Sequence, residues 1–373
     1  MSARGAGGPT AGVRPVIEGL NFHEPGRSKE EVAATYGIST ENIVKLCSNE
    51  NPYGPSPLAQ AAVANEARLL SVYPAGLYEE LSAAIGSANG LAPANVVIGP
   101  GAESIVRYLA QLFIDPHDEA IMARQSFDAA PWWTLVMNGV VKYVDLNDFC
   151  YELEAVSHLV SKRTKMIWLC SPNNPTGTIL RRADVHEFLE HIPHRVAVVF
   201  DQAYCEFTVD PEYADGVSFL KSGHGNVIVL RTFSKAYGLA GVRLGYALAD
   251  ERICASIEKV HEPFHVSRDA VVAGLAALGD DAWVEDVVGR TIAERSRLTR
   301  ELAALGLDVV PSEANFVLAK VPQDAELFAK RLMEKGIVVR PTSAWGYREH
   351  IRITVGTDDE NNRLLRAVAS LLR

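Results

Sequence analysis

The sequence holds no apolar run of about 18 residues, so no segment reads as a membrane-spanning helix. It has no CxxC pair. Its five cysteines, Cys47, Cys150, Cys170, Cys205 and Cys254, are scattered and odd in number. They read as reduced thiols of a cytoplasmic enzyme rather than as a disulfide frame or a zinc site. Basic charge is in short supply: 36 Lys and Arg against 46 Asp and Glu give a net charge of −10. An acidic surface repels phosphate backbones, which argues against nucleic acid as a partner. There is no internal repeat, and no low-complexity segment beyond the first dozen residues. Residues 1–10 are glycine-rich with one Arg and no apolar stretch, so they read as a loose end rather than a signal peptide. The histidines show no metal spacing. His186, His191 and His194 read as a solvated helix and its end, and no metal is expected.

What remains is a globular chain of 373 residues, 48% apolar and 22% charged, long enough for two units and a large core. Its middle alternates short apolar runs with longer amphipathic ones. The runs are Val96–Ile98, Ala120–Ala123, Val140–Val144, Met166–Cys170, Val196–Phe200 and Val227–Leu230. Each is bounded by turn residues, the pattern of strands buried on both faces of a largely parallel sheet with helices on either side. Ile105, Val106, Leu109, Leu112 and Phe113 fall at helical spacing after the first run. Past residue 262 the pattern changes. Long Ala/Leu/Arg/Glu helices run to Leu305. Short strands follow at Leu307–Val310, Asn315–Leu318, Ile337–Val339 and Ile351–Val355, and a helix over Glu360–Leu372 closes the chain. The expected division is an arm with part of a small domain over 1–49, a large α/β domain over 50–262 and a smaller α+β domain over 263–373.

Chemistry gathers just beyond the ends of the expected strands, where ligands of open α/β sheets bind. Arg231-Thr232-Phe233-Ser234-Lys235-Ala236-Tyr237-Gly238, with Arg243 eight residues past the lysine, puts two hydroxyls, an amine and a guanidinium together. Hydroxyls and Arg suit a phosphate, and a Lys beside them suits a covalent imine with an aldehyde that carries it. Pyridoxal 5′-phosphate is the natural candidate. Gly99-Pro100-Gly101-Ala102-Glu103 opens a helix whose free N–H groups make an anion site. Ser104 stands where a dinucleotide fingerprint needs its third glycine, which favours a single phosphate. Ser171-Pro172-Asn173-Asn174-Pro175-Thr176-Gly177 holds an amide in an extended loop. Asp201, at the end of a buried run, needs a partner or a helix to cap. Opposite a pyridine nitrogen it would keep that nitrogen protonated.

Together with Asn49-Glu50-Asn51-Pro52-Tyr53-Gly54-Pro55, Asp201-Gln202-Ala203-Tyr204 and Arg352-Ile353-Thr354-Val355-Gly356-Thr357, these motifs resemble the fold-type I PLP-dependent aminotransferases. The resemblance is best to the histidinol-phosphate branch, from about residue 20 to 370 and in the same order. It implies that Lys235 holds the cofactor and shuttles the proton between substrate Cα and cofactor C4′. Asp201 would pair with the ring nitrogen, and Asn174 and Tyr204 with the ring hydroxyl. The Ala102 and Glu103 amides, Thr232, Ser234 and Arg243 would hold the phosphate. Arg352 would grip the substrate carboxylate, and Arg340 with Arg352 the substrate phosphate. Tyr53 would reach the cofactor of a neighbouring subunit, so a homodimer is implied, with an amino donor and a keto acid as its small-molecule partners.

Two positions depart from the family pattern. Ala130 stands where an aromatic is expected to stack on the cofactor ring, with Trp132 or Trp133 as substitutes. His23 stands where a tyrosine would touch substrate. Both leave the core chemistry and bear on the substrate. An aromatic or specialised-pathway aminotransferase, a threonine-phosphate decarboxylase-like enzyme and a silent binding module therefore stay open as alternatives.

Overall fold

The computed structural model describes residues 12–20 and 26–373. Its strands, in chain order, begin with β1 (Val44–Lys45), β2 (Val96–Gly99), β3 (Glu119–Ala123) and β4 (Val140–Val144). Then come β5 (Thr164–Cys170), β6 (Ala197–Asp201), β7 (Val227–Thr232) and β8 (Gly245–Leu248). The last five are β9 (Val309–Val310), β10 (Phe316–Lys320), β11 (Ile337–Val338), β12 (Arg340–Thr342) and β13 (Tyr347–Thr354).

Seven strands form one sheet in the order β2-β8-β7-β6-β5-β3-β4. Alternation along each strand feeds two cores. Ile167 and Leu169 face a layer with Leu81, Ile85, Phe188 and Leu189, while Met166 and Trp168 face Ile105, Leu109 and Ile257 on the opposite side. Burial on both faces is why these runs are continuously apolar. β4 departs from that expectation. It is an edge strand with Val140 and Tyr143 exposed, and only Val144 is buried. β8, which the sequence pattern does not reveal, runs antiparallel between β2 and β7. Its residues, Gly-Tyr-Ala-Leu, include no β-branched side chain, so the local strand signal is weak.

A third core gathers around the four-stranded sheet β12-β13-β10-β9 and the short parallel pair β1-β11. Val44, Leu302, Val317, Phe328, Ile351, Ile353 and Leu364 meet there. The helix Arg268–Leu278 still buries Ala270, Val271 and Ala273 in the core of the large sheet. The change of composition at residue 262 therefore precedes the change of core, which comes with the helix Asp281–Ala304. Among the described residues no helix is long and apolar enough to cross a membrane.

Candidate active site

β5, β6 and β7 are parallel, and β2 runs in the same direction across the reversed β8. Cys170, Asp201, Thr232 and Gly99 therefore end at one edge of the sheet. A cavity of about 350 Å³ opens there. It is lined by Ala102, Glu103, Asn174, Asp201, Tyr204, Thr232, Ser234, Lys235, Arg243, Arg340 and Arg352. Eleven of the expected site residues thus converge from four strand ends and the second sheet. Tyr53 is not among the lining residues. Its ring lies under the Arg290 guanidinium, 3.8 Å from the ring centroid. His23 lies outside the described residues.

At one end the backbone comes unusually close. Gly99 pairs with Gly245, and Thr232 pairs with Gly245 on its other side. A Cβ on Gly245 would sit 2.4 Å from the Ala102 nitrogen. Gly101 has φ 82, and a Cβ there would meet the Arg243 guanidinium at 2.6 Å. These two glycines let the start of the helix Ala102–Phe113, Thr232 and Arg243 share one corner. Arg243 itself sits at φ 58, a conformation costly for a side-chain-bearing residue and concentrated at functional sites. The corner gathers helix N–H groups, two hydroxyls and a guanidinium, a donor set for a phosphate.

Asp201 and Lys235 face the middle of the cavity. Enclosure by protein pushes the Asp201 carboxyl up to about 6; the Ala203 N–H, 3.2 Å from Oδ1, and the Lys235 amine pull the other way. Enclosure also pushes the Lys235 amine down to about 8, helped by Arg352 and Arg243 and opposed by Glu50 and Asp201. The lysine is therefore substantially neutral, and nucleophilic, near pH 8. Its Nζ donates to Ser48 O at 3.3 Å. Tyr204 is buried and its hydroxyl pushed above the ordinary range, so it stays protonated. It accepts from Asn49 Nδ2 at 3.0 Å, which leaves its own proton available.

The far wall comes from the second sheet. Ile351 and Ile353 point into that sheet's core, so Arg352 between them faces the cavity. Its Nη1 donates to Asn174 Oδ1 and its Nη2 to Cys47 O at 2.7 Å. Its Nε has no partner among the described residues. Burial, then repulsion from Arg340, push its guanidinium down to about 10. Arg340 stands directly opposite Arg352 across the β12–β13 pair, and the Trp345 ring lies 5.7 and 5.8 Å from the two guanidiniums. Like charges directly opposite in a ladder are destabilising. An anion between them would reverse the sign and satisfy the idle Nε–H.

Among the lining residues not anticipated as site parts, two stand out. Asn49, 1% exposed and at φ 54, binds Tyr204 and also exchanges bonds with Thr354 of β13. It ties the two sheets together at the hydroxyl of Tyr204. The available signal was an Asn that opens a distinctive heptapeptide. Phe127 is the second. It lines the cavity, whereas Trp132 lines a neighbouring cleft and Trp133 packs toward the helical layer. Of these aromatics only Phe127, three residues before Ala130, lines the cavity; Ala130, Trp132 and Trp133 do not.

A sequence profile of the family described as aminotransferase class I and II matches residues 41–368. Histidinol-phosphate aminotransferase 2 of Carboxydothermus hydrogenoformans is 38% identical over 96% of this chain and 99% of its own length. The histidinol-phosphate aminotransferase of Anaeromyxobacter sp. is 40% identical over 96% and 99%. The solved histidinol-phosphate aminotransferase of Sinorhizobium meliloti, in complex with pyridoxal-5′-phosphate, superposes with a TM-score of 0.89 at 28% identity. It covers 98% of this chain and 99% of that one. An aspartate aminotransferase of Thermus thermophilus shares the fold, at TM-score 0.82 and 23% identity.

Proposed function

Because the chain belongs to the class I and II aminotransferase family, we propose that this PLP-dependent transaminase is a histidinol-phosphate aminotransferase. It exchanges the amino group of histidinol phosphate with 2-oxoglutarate, a reading supported by the donor set that lines the cavity. Pyridoxal 5′-phosphate, when bound, supplies an aldehyde for the amine and a ring that takes up the electron pair released at substrate Cα. The cavity fits it. The glycine-cleared corner with Ser234, Thr232, Arg243 and the Ala102 and Glu103 amides would hold its phosphate. Asp201 would face the ring nitrogen, Asn174 Nδ2 and the Tyr204 hydroxyl the ring hydroxyl, and Phe127 a ring face. Lys235 would hold the aldehyde carbon covalently and, once displaced by substrate, take the proton from Cα. Cys47, Glu50 and Trp345 also line this cavity.

The observation that carries the substrate is the Arg340–Arg352 pair. One guanidinium suffices for a carboxylate. Two opposed ones suit a substrate phosphate in one half-reaction and the carboxylates of the keto acid in the other. Arg340→Ala should lower kcat/KM for histidinol phosphate roughly 30-fold or more, since it removes one side of a buried charge contact. Turnover of phenylalanine should fall far less. A wild-type enzyme that turns over phenylalanine but not histidinol phosphate would replace the substrate assignment.

The same reading includes a dimer. Leu70, Val72 and Tyr73 are exposed, and Tyr73, 70% exposed, stacks on Phe264 with ring centroids 4.4 Å apart. Such an apolar patch favours a partner surface. Tyr53, turned away from its own cavity, would serve that of the partner copy. The five unbonded cysteines fit a reducing cytoplasmic setting. Light scattering on the eluted enzyme should give twice the chain mass. A fully active monomer would remove the role given to Tyr53.

A further inference from the structure

At the opposite end of β7 from the cavity, the helix Arg182–His191 packs Val185, Phe188 and Leu189 against the sheet and turns its other face to solvent. His186 and Glu190 stand one turn apart on that exposed face, where side chains four residues apart are neighbours. The chain returns beside them in the turn that leads into β7. There the His224 N–H donates to Phe219 O at 3.2 Å, and its ring meets Phe219 edge-on, with centroids 6.2 Å apart. Phe219 in turn stacks on Phe200 of β6. The donor atoms of His186, Glu190 and His224 all lie within 4.8 Å of one another. None of the three side chains has a hydrogen-bond or ion-pair partner among the described residues. No other group of His, Cys, Asp or Glu among those residues converges in this way.

The geometry points to a binding site for one divalent transition-metal cation, zinc first, held by His186, Glu190 and His224 with a fourth position left to water. Two imidazoles and a carboxylate suit zinc and its neighbours and not magnesium or calcium, which take oxygen ligands. Zn–N bonds of about 2.0–2.1 Å put tetrahedral donors roughly 3.4 Å apart. Closing the present separation takes an ångström or so of movement, which two exposed side chains reach by rotation about χ1 and χ2. His224 is the fixed member, oriented by Phe219. The bond would tie a surface helix to the turn entering β7, the strand that ends in Thr232 and leads to Lys235. A cation held only by the folded chain raises its stability and leaves the distant cavity unchanged. Local spacing hides the site, because His224 comes 34 residues after Glu190 and only the fold joins them.

The test uses the cofactor-loaded enzyme without an affinity tag, stripped by chelator and titrated with zinc chloride against a chromophoric chelator. One equivalent per chain is expected, with affinity at least about 10-fold lower in His186→Ala and in His224→Ala. His191→Ala and Cys150→Ser, which alter a neighbouring histidine and the exposed thiol, should bind as the parent does. Zinc should raise the melting temperature of the parent by several degrees, and not that of the His186→Ala/His224→Ala double variant, with turnover equal in both. Parent-like zinc affinity in both single variants overturns the assignment. So does a parent that keeps no equivalent against the competing chelator.

Discussion

Lys235→Ala is expected to lower transamination by at least about 10³-fold, within the range that positioned proton transfer contributes, while the circular dichroism of the protein stays that of the parent. Among the residues lining the cavity, no second lysine stands in reserve. The other buried titratable groups around it are poorly suited to take a proton from carbon. Burial keeps the Tyr204 hydroxyl and the Cys170 thiol protonated well past neutrality. The Arg352 guanidinium remains a cation despite its lowered pKa of about 10. Asp201 is the one carboxylate on the ring-nitrogen side, and moving it to Cα would leave that nitrogen unpaired. Only Lys235, pushed down to about 8, offers a neutral amine at working pH. Steady-state assays with histidinol phosphate and 2-oxoglutarate check the prediction. Addition of small amines such as methylamine should restore part of the Lys235→Ala rate, because they enter the space the side chain leaves.

Asp201→Asn is expected to act in opposite directions on activity and on stability. Turnover should fall about 10²–10³-fold, the loss seen when a single placed electrostatic group is removed from a site. An amide cannot hold a proton on the ring nitrogen by charge, so the electron pair at Cα finds a poorer acceptor. The cofactor-free protein should respond the other way. Burial raises the folded-state pKa of Asp201 from 3.8 to about 6. The folded chain therefore binds this proton more tightly than the unfolded chain. Its contribution is fully present below about pH 4 and is lost as pH rises through 6. Above that, the buried charge costs at most about 3 kcal/mol at 1.36 kcal/mol per pKa unit. The melting temperature of cofactor-free Asp201→Asn should match the parent near pH 4 and exceed it at pH 8. An unchanged or lower melting temperature at pH 8 would mean that the carboxylate is already paired within the chain, and that its site is not waiting for a cation.

The parallel part of the fold was legible because burial on both faces forces continuous Val/Ile/Leu runs, and strand ends then reveal where ligands bind. β8 was not legible, since Gly245 is there to let the Ala102 backbone approach and the strand holds no β-branched residue. Tertiary placement also decided what local pattern left open. The family resemblance set Arg340 beside Arg352 on one phosphate, but nothing in the spacing gave the reason, which is the β12–β13 register that puts them face to face. Ala130 leaves open which aromatic lines the cavity, and the fold puts Phe127 there. Asn49 acts through Tyr204 and Thr354, partners 155 and 305 residues away, a distance over which no periodicity speaks. The residues to which reactive chemistry is assigned could be picked out from their types and spacing, and the fold brings them to one cavity. Those that position them could not, because positioning is a property of contacts.

The most direct measurement is borohydride treatment of the purified enzyme followed by peptide mass mapping. One vitamin B6 phosphate per chain should become irreversibly fixed to the peptide containing Lys235, with loss of the yellow colour and of turnover. A fully active enzyme whose Lys235 peptide keeps its unmodified mass, or a colourless one that needs no vitamin B6, would contradict that expectation.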